Sequence, residues 1–215
     1  MILIRRLAAP PGLLAGQIEW TERWKTGQPA DWATPAAKQL LRQHLPALTH
    51  NKCSYCESTL GSAARLEIEH YHAKTVAPHL AFEWTNLFPA CGICNGSKRN
   101  ESHGGQLLKP DTDDGEEFLW LKTQTGELEP AGPNHAARAL ATIKTCNLNR
   151  GPLCKERKRL YLRTTRLLQD HHLTEGLKRE FDSLLHPSTE HKLAVRWALP
   201  NDLAQEDRRM YHAAD

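Results

Sequence analysis

The chain has 215 residues, 40% of them hydrophobic, and a mean hydropathy of −0.59, values typical of a globular protein in water. Its apolar runs are far shorter than the roughly 20 residues that a membrane-spanning helix needs, and its N-terminus lacks the pattern of a signal peptide. We therefore expect a cytoplasmic protein with no membrane partner. The net charge of +3 is too small to indicate a partner by itself.

The first fifty residues contain one clear helix signal. Residues 1–9 predict a short strand, and residues 10–34, which are rich in Pro, Gly and Trp, predict an irregular segment. Thr34 is followed by proline, a typical helix start, and apolar residues at helical spacing continue to about residue 49. We interpret 1–50 as an N-terminal segment that carries a helix.

Two Cys-x-x-Cys pairs, Cys53/Cys56 and Cys91/Cys94, are the strongest local signal. Four thiolates complete a tetrahedral zinc shell, and each short pair directs two sulfurs at one ion. In a reducing compartment such spacing indicates metal rather than disulfides, although a redox motif is the alternative. We predict a structural Zn²⁺ site, which would also stabilise a segment with few apolar residues.

Polar residues lie between and just after these pairs in a recognisable order. Glu69 and His70 end a predicted strand over 66–70, Asn86 precedes a leucine, and Asn95 opens a predicted short helix directly after the last cysteine. An acidic residue before histidine, a downstream Asn-Leu and Cys-x-x-Cys-Asn-x-x-Lys together resemble the signature of zinc-bearing HNH endonucleases.

This resemblance implies a ββα-metal core of the His-Me finger type over residues 51–105. Glu69 and Asn95 would then be the ligands of a catalytic divalent ion, and oxygen ligands favour Mg²⁺ or Mn²⁺. His70 would be the general base, because imidazole titrates near neutral pH. Asn86 would hold the loop and orient the His70 ring.

Three further side chains are candidate nucleic-acid contacts, and each has a simpler interpretation. His72 is expected to contact the scissile phosphate or to lie on the surface. Lys74 and Lys98 are expected to bind phosphates or to be solvated.

The remaining chain predicts a β-hairpin and then helices. Residues 118–122 and 127–129 alternate in polarity around a turn that contains Gly126. Helices are predicted over 134–146, 152–172, 174–185 and 188–198. We expect residues 106–215 to pack on the finger, which gives an α+β fold, mostly helical, with helices flanking the ββα core on both sides.

Charge is unevenly distributed along this region. Residues 101–134 contain eight acidic residues and two lysines, whereas residues 138–180 contain eleven Lys or Arg and four acidic residues. The basic segment predicts contacts with phosphates or with a protein partner. A solvated helix face is the alternative.

Short motifs across residues 35–165 extend the resemblance. They run in order from Cys53-Ser-Tyr-Cys56-Glu57 to Leu148-Asn149-Arg150, and together they resemble the retron-associated HNH endonucleases, the PtuB-like family of the Septu systems. Ala73 stands where the family form has proline. The resemblance implies a nuclease subunit of an antiviral defence system that cuts nucleic acid, with DNA as the expected substrate, and that works with an ABC-like ATPase of the PtuA type. The alternatives are an RNA-cleaving variant and a zinc-stabilised adaptor without catalysis.

Overall fold

The chain is mostly helical, with two small sheets. The structure, a computed structural model, describes residues 1, 3–27, 32–61, 64–99, 106–169 and 175–200. Among the helices in these ranges, none is long and apolar enough to cross a membrane.

Two helices form the N-terminal part. Helix α1 spans Pro11–Lys25, so the irregular segment predicted there is wrong. Proline fits the first turn of a helix, where its missing N–H has no partner to lose. Gly16 lets the ring of Trp20 lie against the helix, since a Cβ at Gly16 would come 2.4 Å from that ring. The strand predicted over 1–9 is absent from the described residues there.

Helix α2 spans Pro35–His44 and begins as predicted. The side chain of Thr34 accepts a hydrogen bond from the backbone N–H of Ala37, which satisfies one of the free donors of the first turn. The α-helix ends before residue 49, because the chain tightens into a 3-10 helix over Leu45–Thr49 that contains Pro46.

An antiparallel strand pair followed by a helix occupies the centre of the chain. Strand β1 spans Leu66–His70, strand β2 spans Leu87–Cys91, and Glu69 lies opposite Phe88 in their register. Helix α3, Gly92–Lys98, follows β2 without a loop and packs against both strands. It begins three residues before Asn95, because Cys91 caps it.

The second half contains the predicted hairpin and helices. The elements in order are the short helix α4 (Gly115–Phe118), strands β3 (Leu119–Lys122) and β4 (Glu127–Pro130), and helices α5 (Ala136–Thr145), α6 (Gly151–Gln169), α7 (Glu175–Leu185) and α8 (Lys192–Ala198). Helix α8 begins four residues later than predicted, after His191 in a left-handed conformation. The predicted helix junction at 170–174 lies outside the described residues.

Apolar side chains form two large clusters, and the β1–β2 pair contributes residues to both. One cluster joins the four paired cysteines to β3, β4, α5 and α8. The other joins α1 and α2 to β2 and to the segment between the strands. The central strands therefore connect the cysteine-rich part to the N-terminal helices.

The C-terminal helices lie against the first cysteine pair. Lys52 donates to the carbonyl oxygens of Pro187 and Thr189, and a ring nitrogen of His191 lies 2.7 Å from the carbonyl oxygen of Cys56. These contacts match the expected packing of the helical region beside residues 51–105. The division into 1–50, 51–105 and 106–215 stays a prediction.

Candidate metal centre and active site

Four buried cysteines meet at one point. The sulfurs of Cys53, Cys56, Cys91 and Cys94 all lie within 4.8 Å of one another, and none of the four forms a disulfide. The first pair lies in the turn before β1. The second is placed by the end of β2 and the start of α3, where the N–H of Cys94 donates to the sulfur of Cys91.

The dimensions of this cluster fit a zinc ion. Zn–S bonds of about 2.3 Å in a tetrahedron place the sulfurs about 3.8 Å apart, and the sulfurs of Cys56 and Cys91 are 3.7 Å apart. Hydrogen bonds with the sulfurs of Cys53 and Cys94 lower the pKa of Cys91 to about 7, and hydrogen bonds with the other three sulfurs lower that of Cys56. Burial raises the pKa of Cys53, and hydrogen bonds with the other sulfurs raise that of Cys94. Thiolates are the form that binds metal, so both the geometry and the donor set suit a four-coordinate structural ion.

The carboxylate of Glu69 is fully buried beside this cluster. Its Oε1 atom accepts a hydrogen bond from the Tyr55 hydroxyl at 3.2 Å and pairs with the ammonium of Lys98 at 2.8 Å. Burial raises the pKa of Glu69, an effect that Lys98 and Tyr55 oppose.

The imidazole of His70 is buried on the side of the N-terminal helices. Its Nε2 atom lies 2.9 Å from the carbonyl oxygen of Ala81, and its ring makes an edge contact with Trp32 at a centroid distance of 4.6 Å. Burial, together with the charge of Lys74, lowers the pKa of His70 to about 3. The ring is therefore neutral at physiological pH.

The side chain of Asn86 forms hydrogen bonds with two parts of the segment between β1 and β2. Its Oδ1 atom accepts from the N–H of His72, and its Nδ2 atom donates to the carbonyl oxygens of His72 and Leu80. Asn86 thus fixes the backbone on both sides of the turn that follows His70. These contacts suit a role in holding the loop, and its part in catalysis stays a prediction.

The remaining predicted residues differ in how they are placed. His72 is exposed and Lys74 is half-buried, with its ammonium 5.7 Å from the centre of the Trp32 ring. Asn95 is half-buried within α3. Lys98 is fully buried and donates to the carbonyl oxygen of His70, so the interpretation of Lys98 as a solvated lysine is wrong. A phosphate contact by Lys98 would require its pair with Glu69 to open, and that role stays a prediction.

Much of the basic segment 138–180 binds other groups of the chain. Five of its arginines do so: Arg138 with Asp113, Arg150 with cysteine sulfurs, Arg157 with the carbonyl oxygen of Gly126, Arg159 with Glu156 and Arg163 with Glu180. Their contribution to a phosphate-binding surface is smaller than the sequence count indicates.

Sequence reasoning missed two side chains that touch the predicted site. Tyr55 lies inside the first Cys-x-x-Cys motif, and its hydroxyl could have been expected to point toward the same centre. Trp32 lies in a segment interpreted as irregular, 38 positions before His70 in the sequence, and no local signal connects the two.

The fold and this site together define a mostly helical protein whose four buried cysteines can hold a metal ion. No protein-family model matches the chain. It is, however, similar to two curated relatives named Septu protein PtuB. One, from Bacillus thuringiensis, is 30% identical over 115 residues, 53% of this chain and 43% of the relative. The other, from Bacillus mycoides (strain KBAB4), is 31% identical over 104 residues, 40% of this chain and 34% of the relative.

The chain spans less than half the length of each of these relatives. Over the matched part it is similar to Septu PtuB proteins, in agreement with the resemblance of its motifs.

Proposed function

We propose that this chain is a metal-dependent HNH-type endonuclease that hydrolyses phosphodiester bonds in nucleic acid, with DNA as the substrate to test first. The observation that carries the proposal is the pair Glu69 and His70 at the end of β1. Both side chains are buried, and the two residues are adjacent in the sequence. Their strand pairs with β2, which leads directly into the cysteine cluster and α3. That order, strand, strand and helix, is the one that the resemblance implies.

The hydrogen bond of His70 supports its role as general base. A carbonyl oxygen can only accept, so Nε2 carries the proton in its contact with Ala81. Nδ1 then keeps the lone pair and can take a proton from an attacking water. As the water oxygen bonds to phosphorus, the bond from phosphorus to the leaving oxygen breaks. A bound phosphate would raise the low pKa of His70, because an anion stabilises the imidazolium.

Glu69 and Asn95 are the proposed holders of a divalent ion, either Mg²⁺ or Mn²⁺. A carboxylate and an amide oxygen suit such a hard cation. The ion would supply charge for the phosphoryl oxygens and lower the pKa of a bound water. Asn86 keeps the turn after His70 in place, so the base stays aligned.

The likeness to Septu PtuB proteins supports a place in anti-phage defence, with an ABC-like ATPase of the PtuA type as the proposed partner. This part of the proposal depends on the relatives, of which the chain covers less than half.

The test is cleavage of supercoiled plasmid by the purified chain, alone and with its ATPase partner, in Mg²⁺ or Mn²⁺. We expect nicking by the wild type and a loss of at least about 100-fold in His70→Ala, since a positioned general base contributes about 10²–10⁴-fold. His44→Ala, which replaces an exposed histidine at the end of α2, is the matched control and should retain activity.

The same assay separates the alternatives. Cleavage of structured RNA but not of plasmid would show that the substrate is RNA and not DNA. If Glu69→Gln and His70→Ala kept full function in a phage-protection assay while Cys91→Ser lost it, the chain would be a zinc-stabilised adaptor and the nuclease proposal would be wrong.

A further inference from the structure

Arg150 lies against the cysteine cluster. Its Nη2 atom is 3.4 Å from the sulfur of Cys56 and 3.9 Å from that of Cys91, and its Nη1 atom is 3.6 Å from the sulfur of Cys94. The guanidinium therefore donates to three of the four candidate ligands. Fixed N–H groups of this kind can serve two or more acceptors at once.

The cysteine sulfurs that accept from Arg150 set it apart from the other buried or half-buried arginines of the described residues, among which Arg157 donates to the carbonyl oxygen of Gly126. Arg6, Arg138 and Arg196 each pair with a carboxylate. In the described part of the chain Arg150 has no carboxylate partner, and its acceptors are the cysteine sulfurs and the carbonyl oxygen of Asn147. Negative charge on these sulfurs would compensate the cost of holding a charged guanidinium half-buried beside them.

The segment that carries Arg150 is held on both sides. Asn149 exchanges two hydrogen bonds of 2.8 Å with the backbone of Leu128 in β4, and Leu148 is fully buried. Helix α6 begins at the next residue, Gly151. The guanidinium is thus fixed in place by the link between α5 and α6, with little freedom to leave the cysteine cluster.

We propose that Arg150 is a positioning residue of the zinc site, whose hydrogen bonds to three thiolates slow the release of the metal and the attack of electrophiles on the sulfurs. This inference rests on the zinc part of the proposed function. Four thiolates and one Zn²⁺ leave a net charge of about −2 in a buried place. One guanidinium halves that charge, and its N–H donors withdraw electron density from the sulfurs that an electrophile would attack.

The first measurement is the metal content of the purified wild type, where we expect about one zinc per chain. Excess N-ethylmaleimide is then added with a colorimetric zinc chelator, and the rate of zinc release is followed. We expect release from Arg150→Met to be about 10- to 100-fold faster than from the wild type, the range typical of partners that support metal ligands. Arg150→Lys should fall between them, because a single ammonium keeps the charge but loses the fork of donors.

The matched control is Arg163→Met in α6, the helix that begins directly after Arg150. Arg163 pairs with Glu180 on the surface, away from the cysteines, and its replacement should leave the release rate unchanged. Circular dichroism checks that each variant is folded. If Arg150→Met is unfolded, the Arg150→Lys protein with cobalt in place of zinc still tests the contact. Loss of N–H donors to the sulfurs should shift its sulfur-to-cobalt charge-transfer band to lower energy than in the cobalt-substituted wild type.

Each outcome has a separate meaning. Wild-type release from folded Arg150→Met, or an unchanged cobalt band in Arg150→Lys, would overturn the role of Arg150 and leave the nuclease proposal intact. A wild type without bound zinc would overturn both the zinc assignment and this inference. Plasmid cleavage by His70→Ala tests the nuclease proposal independently of the release rate, the cobalt band and the zinc content.

Discussion

At the scale of single residues, the pair formed by Lys98 and Glu69 is the main departure from expectation. The sequence pattern predicted Glu69 as a ligand of a divalent ion and Lys98 as either a phosphate contact or a solvated lysine. The structure brings the two side chains together at 2.8 Å, with exposures of 1% and 2%, so Lys98 is not solvated. A motif specifies residue types and their order, but it does not show which of them neutralise each other.

Removal of the Lys98 charge should destabilise the fold strongly. In Lys98→Met the Glu69 carboxylate stays buried without its cation, and we expect the free energy of unfolding to fall by about 3 to 5 kcal/mol. Urea denaturation of the zinc-loaded proteins measures this. The double variant Glu69→Gln/Lys98→Met should recover part of the loss, because no uncompensated charge remains.

Lys25→Met provides the comparison for that experiment. Lys25 pairs with Glu22 on the exposed surface of α1, where an ion pair contributes at most about 1 kcal/mol. Equal losses in Lys25→Met and Lys98→Met would show that burial of the Lys98 pair has no energetic consequence.

At the scale of elements, sequence reasoning performed best where local chemistry decides the structure. The cap at Thr34, the strand that ends in His70 and the hairpin turn at Gly126 are all confirmed. It failed at α1, because prolines and glycines that look irregular locally become helical when Trp20 packs on the core. The contact of Trp32 with His70 could not be predicted from the sequence for a similar reason, since it depends on tertiary packing alone.

The hairpin turn between β3 and β4 makes a sharp test at this scale. Gly126 has a φ of +78°, and a Cβ there would lie 1.9 Å from the carbonyl oxygen of Cys154 in α6. We expect Gly126→Ala to lower the free energy of unfolding by about 2 to 5 kcal/mol, the sum of backbone strain and overpacking. Chemical denaturation is the measurement.

Gly132→Ala is the matched control, because Gly132 has extended backbone and a Cβ there would meet no atom of the described residues within 4 Å. Its stability should stay within about 0.5 kcal/mol of the wild type, as for surface substitutions in general. If Gly126→Ala left the free energy of unfolding unchanged, the hairpin would not lie in close contact with the carbonyl oxygen of Cys154.

At the scale of the whole molecule, the cysteine cluster connects parts that are distant in the sequence. Cys56 and its neighbour Glu57 bind His191 and Leu193 at the start of α8, and the same apolar cluster includes Ala194. The cysteine spacing correctly predicted that the four sulfurs meet at one point, but nothing in that spacing indicated which helix would cover them. Contacts between residues so far apart in the sequence are set by the tertiary structure.

Removal of zinc should therefore loosen α8 as well as the cysteine turns. Zinc at about 1,000 times its Kd stabilises the folded state by about 4 kcal/mol. After treatment with a chelator we expect faster hydrogen exchange at residues 53–59 and in α8, with a smaller change in α2, which belongs to the other apolar cluster. Unchanged exchange in α8 after complete zinc removal would show that the metal does not support its docking.

The long separation between the first cysteine pair and α8 also has a consequence for synthesis. The bond between Cys56 and His191 joins residues 135 positions apart. A ribosome that adds about 5 to 20 residues per second needs on the order of ten seconds to make the intervening chain. Late in that interval all four cysteines have been synthesised but α8 has not, so the proposed zinc ion would reach the thiols before this helix covers them.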